Sequence, residues 1–291
     1  MRKYSYNDGP ILYLVATPIG NIEDITLRAI RILKEVDRIY AEDTRNSKVL
    51  LKHYDINTPL LSYHEYNQNE ISEAIIDYIL EGNNVAIISD AGLPVISDPG
   101  FKLIDLCVKN NISVVTVPGP SAGISAFVSS GLPSPFTFYG FLKSKAGERK
   151  RELENLKFHP YTLIFYEAPH RIIETLMAIK EVFGNRYVVL ARELTKKFEE
   201  YIRGTIEEVL SDESNLKGEM VLMVSGYEEE TIDKDPMELI DDQINLGLRP
   251  KDAIKEVANM LNLNKQQLYK DYIEYKNRWD NFHCLIFIIW Y

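Results

Sequence analysis

Short apolar runs alternate with segments of helical spacing along most of the chain. Ile11–Thr17 (ILYLVAT) is apolar almost throughout, the pattern of a strand buried on both faces. Ile25–Leu33 carries apolar residues at helical spacing, with Thr26 and Arg28 between them. Arg38–Ala41 predicts a second strand that runs into EDTRNSKVLLKHY. Ile71–Leu80 reads as an amphipathic helix, Val85–Ser89 as a strand, Gly100–Lys109 as a helix and Ile112–Val117 as a strand. PGPSAGISAFVSSG then sets Pro120 at a helix start and Gly131 at its end. This alternation predicts a largely parallel sheet covered by helices.

A charged stretch, 142–160, interrupts the pattern. A second run follows, with strands expected at Tyr161–Tyr166, Arg186–Ala191, Phe198–Arg203 and Met220–Ser225. The expected organisation is an N-terminal α/β domain over 1–134, a second α/β domain over 135–228, an acidic linker (YEEETIDKD, 227–235) and a small segment over 236–277. In that last segment Ala253, Val257, Ala258 and Leu261 share one helical face. Asn262-Leu263-Asn264 is a turn, and Leu268, Tyr272 and Tyr275 continue on a second helix. The pair reads either as a helical hairpin packing on the body or as a helix-turn-helix.

Composition narrows the classes. The 291 residues are 45% hydrophobic, enough for a sizeable core, and the formal net charge of −10 argues against a globally basic nucleic-acid binder, though not against a local basic face. Cys107 and Cys284 are far apart and lack metal-ligand spacing, as expected of reduced residues in the cytoplasm. The first ten residues lack the apolar run of a signal peptide, and no segment reaches the roughly 20 apolar residues of a membrane span. The tail CLIFIIWY, 284–291, fits a buried last strand or a sticky extension equally well.

Three turns rich in Gly and Pro follow expected strands: Pro18-Ile19-Gly20-Asn21, SDAGLPVISDPG (89–100) and Pro118-Gly119-Pro120-Ser121-Ala122. Ligands of open parallel sheets bind at the carboxyl ends of the strands, where glycine permits close approach and proline fixes the loop. Neither a GxxxxGK[ST] nor a GxGxxG stretch is present, so a ligand without phosphates is favoured. Asp90 and Asp98 are too sparse for a metal site, and none is expected. Asp98, before Pro99-Gly100, reads as a helix N-cap.

In order along the chain stand LYLVATPIGNIEDITLRAIRIL, AEDTRNSKVLL, SYHEYNQ, SDAGLPVISDPG, VPGPSAGISAFVSSGLP, FYEAPHR, ARELTKKFEE and GEMVLMVSG. Together they resemble the tetrapyrrole methylase superfamily, in its branch of 16S rRNA cytidine 2′-O-methyltransferases, over roughly residues 10–226. The resemblance implies the two-domain α/β fold of class III methyltransferases with S-adenosylmethionine (SAM) in the cleft between the domains, a C-terminal helical hairpin and a homodimer. Gly92-Leu93-Pro94 matches the cofactor loop, with Leu93 where other tetrapyrrole methylases carry Asp. By the same likeness Pro18, Val95, Ile96, Ser97, Pro118, Ser121 and Ala122 line the first-domain side of the cofactor, and Phe165, Tyr166, Leu194 and Glu219-Met220-Val221 face it from the second.

The implied reaction is displacement at the SAM methyl by a ribose 2′-oxygen, which calls for orientation and a base. Glu167, His170, Glu193, His64 and Glu65 are the candidates, each equally readable as a structural hydrogen-bond or ion-pair partner. RNA contact falls to Lys143, Lys145, Arg149, Lys150 and Arg151, then to Lys196 and Lys197 beside Arg192, then to Arg45, Lys48 and Lys52. Tyr63, Tyr66, Tyr139 and Tyr166 are candidates for stacking on an extruded base, or for core packing. The expected partner is 16S rRNA or the small ribosomal subunit, with no membrane. Rival readings are a methylase of the same superfamily acting on a tetrapyrrole or a protein side chain, a non-catalytic ribosome-binding protein, and a nucleotide-dependent oxidoreductase.

Overall fold

In the computed structural model, residues 9–211, 218–229, 235–261 and 263–276 are described. The chain divides into two compact units, one running to Tyr227 and the other from Glu228.

The first unit contains two sheets. Its first half runs β1 (Ile11–Val15), α1 (Leu27–Glu35), β2 (Arg38–Ala41), α2 (Thr44–His53), β3 (Leu60–Ser62), α3 (Gln68–Leu80), β4 (Val85–Ile88), α4 (Phe101–Lys109), β5 (Ser113–Val117) and α5 (Ala122–Val128). The strands form one sheet in the order β3-β2-β4-β1-β5, with every pairing parallel. All five residues of β1 are buried because helices cover both faces. Ile11, Tyr13 and Val15 pack with Ala29, Ile32 and Leu33 of α1 on one side. Leu12 and Leu14 pack with Ile75, Ile79, Leu103 and Cys107 on the other, as the two-residue period of a strand requires. Tyr63, a stacking candidate, lies in this second layer with its hydroxyl on Ser72, so it is a core residue.

The second half runs β6 (Phe136–Phe141), α6 (Ala146–Leu156), β7 (Thr162–Glu167), α7 (Ile172–Phe183), β8 (Tyr187–Arg192), β9 (Glu200–Thr205), α8 (Ile206–Ser211) and β10 (Met220–Val224). Its sheet has the order β6-β7-β10-β8-β9 and is mixed: β6 and β7 are parallel and the remaining pairs antiparallel. One face packs on α6, α7 and α8 through Leu153, Leu176, Ile179 and Val209. The other takes Ala126 and Phe127 of α5, which joins the two halves of the unit. Sequence periodicity misses β6, because Gly140 introduces a register shift after Phe138 and breaks the alternation.

The second unit holds α9 (Pro236–Asn245), α10 (Pro250–Met260) and a further helix, α11, over 265–276. The expected hairpin is α10 and α11. α9 adds a third helix, with Ile240 buried against Val257, Leu268 and Tyr272. Asp241 accepts from the Tyr272 hydroxyl and pairs with Lys276 at 2.8 Å. Cys284 and the apolar tail 284–291 lie outside the described residues.

Candidate active site

Every strand of the first sheet points its carboxyl end to the same edge, so the turns after β1, β4 and β5 converge there. The turn after β1 and the turn after β4 are joined by two reciprocal hydrogen bonds, Thr17 N–H to Gly92 O at 2.9 Å and Gly92 N–H to Thr17 O at 3.0 Å. Gly92 holds φ +79, a conformation that side chains resist. Gly119, after β5, lies so close to β1 that an added Cβ would stand 2.8 Å from Ala16 Cβ. Close packing thus explains why glycine fills these turns.

These turns and the edge of the second sheet enclose a cavity of about 360 Å³. From the first half its wall includes Ile19, Asp90, Ala91, Gly92, Leu93, Ile96, Ser97, Asp98, Ser121 and Ala122. From the second half it includes Phe141, Tyr166, Glu167, Ala168, Pro169, Leu194, Glu219, Met220 and Val221. Met220 pairs with both Glu167 and Arg192, so antiparallel pairing brings the end of β7, the start of β10 and the end of β8 to one place. The wall carries four carboxylates, Asp90, Asp98, Glu167 and Glu219, and no Lys or Arg.

Gly92, Leu93, Ile96, Ser97, Ser121, Ala122, Tyr166, Leu194, Glu219, Met220 and Val221 stand on this wall, where the sequence reading places the cofactor. Pro18, Pro94, Val95, Pro118 and Phe165 do not. Phe165 is fully buried on the opposite sheet face, because neighbouring strand residues point to opposite sides. Val95 turns away at φ +75 and packs against Gly100.

The candidate bases separate in the same way. Glu167 reaches the wall but is 3% exposed and held fast. It accepts from the Thr175 hydroxyl at 2.5 Å and from Ala168 N–H at 2.9 Å, and it pairs with Arg171 at 3.4 Å. Glu193, His170, His64 and Glu65 do not line the cavity. Glu193 sits at φ +51 and takes Lys196 Nζ at 3.1 Å. His170 is exposed in the turn before α7, and His64 and Glu65 follow β3.

Asp98 is the residue the sequence reading misplaced. The position before α4 is Gly100, not Asp98, and the helix starts at Phe101 rather than at Pro99. Asp98 instead faces the cavity, and its pKa is pushed up to about 6, chiefly by burial and then by the charges of Glu42 and Asp90, while the Ser89 hydroxyl pulls the other way. Tyr166 stands opposite on β7. Its hydroxyl accepts from Gly123 N–H at 3.2 Å, and burial raises its pKa. This hydrogen bond ties the second sheet to α5.

Among the RNA candidates, Arg149 is corrected. It is 4% exposed under α7, with Glu174 at 3.4 Å, so it belongs to the α6–α7 packing and not to a surface strip. Lys150 pairs with Glu181, Lys145 with Glu148 at 3.4 Å, and Lys196 with Glu193 and Glu219. Lys143 and Arg151 are exposed, Lys143 two residues from Phe141 of the cavity wall, and Lys197 lies over the Phe198 ring. Of the remaining tyrosines, Tyr66 is exposed and Tyr139 packs against the second core.

This fold and cleft define a methylase of the tetrapyrrole type: the family model for tetrapyrrole (corrin/porphyrin) methylases matches residues 11–210. Among solved structures, uroporphyrin-III C-methyltransferase of Thermus thermophilus, complexed with S-adenosyl homocysteine, superposes with a TM-score of 0.55 at 18% identity, over 75% of this chain and 97% of that one. A cobalt precorrin-4 methyltransferase does so at 0.55 and 17%, over 73% and 94%. At these identities the likeness is one of fold. Sequence relatives are nearer. Ribosomal RNA small subunit methyltransferase I of Streptococcus pyogenes serotype M18 is 49% identical over 90% of this chain and 94% of its own length. The Bacillus subtilis protein of that name is 46% identical over 93% and 98%. The chain belongs to the ribosomal RNA small subunit methyltransferase I family of tetrapyrrole methylases.

Proposed function

We propose that this protein methylates the ribose 2′-oxygen of a cytidine in 16S rRNA of the small ribosomal subunit, with S-adenosylmethionine as methyl donor. The observation that carries this reading is the charge of the cleft. The wall holds four carboxylates and no Lys or Arg; Glu167 and Glu219 are paired with Arg171 and Lys196 from off the wall, and Asp90 and Asp98 make it a poor place for phosphates and a good one for a cation. S-adenosylmethionine fits on that ground: it has no phosphate and carries positive charge on its sulfur and its amino group. Leu93, Ile96, Leu194, Met220 and Val221 offer apolar surface to an adenosine, and Ser97, Ser121 and the turn backbones offer polar contacts. When bound, it supplies a methyl group on a sulfonium that leaves readily.

The chain's own part is orientation and proton removal. Orientation is worth about 7–11 kcal/mol when reacting atoms are held in line. Asp98 is the proton acceptor in this reading: it faces the cavity and its carboxyl is poised near neutral pH. Asp98 would take the proton of the ribose 2′-hydroxyl as that oxygen takes up the methyl group, whose bond to the sulfonium sulfur breaks so that S-adenosylhomocysteine leaves as a neutral thioether. Beyond burial, the charges of Glu42 after β2 and Asp90 after β4 raise that carboxyl's pKa, and its own charge adds to the raising of Tyr166 on β7. Glu167 holds the wall in shape through Thr175 and Arg171. Glu193 steadies the turn after β8 through Lys196.

A homodimer is part of the proposal, with exposed Leu27, Phe101 and Val128 among the apolar side chains available to a second copy. No helix among the described residues is long and apolar enough to cross a membrane, and a ribosomal substrate would place the enzyme in the cytoplasm. The test supplies labelled S-adenosylmethionine together with small subunits from cells lacking the gene, with naked 16S RNA, or with a tetrapyrrole precursor. Label mapped to a ribose 2′-oxygen of 16S RNA is the expected result. Label in the tetrapyrrole overturns the substrate but not the chemistry, and cofactor binding with no transfer favours a ribosome-binding protein.

A further inference from the structure

Among the basic residues that sequence inspection favours for RNA contact, Lys145, Arg149, Lys150 and Lys196 are paired with carboxylates in the fold, whereas two lysines of a third set are not. Along α2, Arg45, Lys48 and Lys52 follow one another at i, i+3 and i+7, which places them on one helical face. That face, with Asn57 and Thr58 of the segment entering β3, lines an open groove of about 620 Å³. Arg45 is engaged by Asp43 through two hydrogen bonds, at 3.0 and 2.7 Å. Lys48 and Lys52 are exposed, and neither has an ion pair among the described residues. Asp55 is the one carboxylate on the groove wall. The contrast with the cleft is complete in sign: the cavity wall holds acids and no bases, the groove three bases and one acid.

The groove is also anchored to the cleft. Asp90, on the cavity wall, accepts from Asp43 N–H and from Asn46 Nδ2, both at 3.2 Å, and so pins the start of α2 to the cavity rim. A strand delivering one nucleotide to the cavity has further phosphates that must lie on something nearby. Water-exposed lysines in line with the rim answer that need, since phosphate contact depends on point charge and on release of counterions rather than on shape.

We propose that the α2 groove is a binding site for the phosphate backbone of the RNA substrate, with Lys48 and Lys52 as its contacts and Asn57 and Thr58 as polar neighbours. This rests on the RNA reading of the cleft. The natural partner of an unpaired lysine pair beside a cleft for a nucleoside is the rest of the same strand.

The experiment measures binding of naked 16S RNA and of small subunits by wild type, by Lys48→Ala/Lys52→Ala and by Lys48→Glu/Lys52→Glu, from about 50 to 200 mM salt. Both lysines are exposed on a helix, and an unchanged thermal midpoint confirms the fold of each variant. The expected result is weaker binding to both substrates and a log–log salt slope shallower by about 1.4 for the alanine pair, at about 0.7 per single-strand contact. The glutamate pair binds more weakly still. An unchanged slope, where wild-type binding is salt-dependent, overturns the groove and leaves the cleft reading standing. Weaker binding to assembled subunits alone also overturns it, in favour of an acidic ribosomal protein surface. A wild type that neither binds nor methylates RNA overturns both readings at once.

Discussion

The two sheets of the first unit build opposite walls of one cleft by different means. In the first sheet every strand runs the same way, so the turns after β1, β4 and β5 reach the cavity together as loops, and those loops carry Asp90, Asp98, Ser97 and Ser121. In the second sheet only β6 and β7 run together, and the wall is made of strand ends: Glu167 closing β7 and Met220 opening β10, directly paired. Loops are free to place a carboxyl at the water boundary, where it titrates. A strand end fixes its side chain in a ladder, and Glu167 accordingly has its hydrogen bonds filled. Chemistry on the first wall and rigidity on the second is the division this arrangement produces.

Exchanging the acids tests it most directly. Asp98→Asn keeps size and burial and removes the proton acceptor, so methyl transfer falls by about 10²–10⁴-fold while cofactor affinity stays within a few-fold. Turnover close to wild type in that variant breaks the assignment. Glu167→Ala acts on stability instead. It leaves the Thr175 hydroxyl and Ala168 N–H without their acceptor, removes the carboxylate paired with Arg171, and costs about 3 kcal/mol in denaturant unfolding. Glu167→Gln, which keeps an acceptor, retains most of the turnover. A large loss of turnover in a well-folded glutamine variant would move the proton acceptor to the second wall.

A pH profile sharpens the same contrast. Asp98 must be ionised to accept a proton, so the wild-type rate climbs about tenfold per unit below pH 6 and levels off above it. The stability effect has the opposite sign. Because the folded state raises this pKa above its usual 3.8, the group's contribution to stability is full below about pH 4 and is lost as pH rises through about 6. Asp98→Asn therefore flattens both curves. Among α1 to α7, side-chain caps are confined to α1 and α2, where Thr26 accepts Ala29 N–H at 3.0 Å and Asp43 accepts Arg45 N–H at 2.8 Å, whereas α3 to α7 have none. Thr26→Ala lowers stability by about 1 kcal/mol in a melt. Lys150→Ala removes a solvent-screened ion pair with Glu181 and leaves the melting midpoint close to wild type.

Much of the first half was legible in the sequence, because buried parallel strands write continuous apolar runs and their turns collect glycine and proline. The second half was less so. β6 is broken by its shift at Gly140, and in the second unit α9, directly after the acidic linker, goes unread because PMELIDDQIN has few apolar positions to mark a helical face. Asp98 was misread because Asp-Pro-Gly spells a helix start. Only the folded loop, with Val95 and Ser97 at positive φ, turns that carboxyl into the cavity. Within the basic run 143–151, Lys143 and Arg151 stay exposed, and the pair Arg149-Lys150 looks more open in the sequence than in the fold for a related reason. Its neutralising partners, Glu174 and Glu181, come from the next helix, and a one-dimensional charge count does not see them. The groove on α2 shows the converse, a modest run of charge in which Lys48 and Lys52 keep no ion pair among the described residues.

The paired bonds between Thr17 and Gly92 give the cleft floor a property at odds with its irregular backbone. Each amide is closed by the other loop, as in a two-rung ladder, and Thr17 is buried. Loop amides ordinarily trade hydrogen with solvent quickly; these two release theirs only when the sheet beneath them opens, so their exchange runs at the slow rate of the core. The floor is then set before any ligand arrives, and little ordering entropy is left to lose when one does.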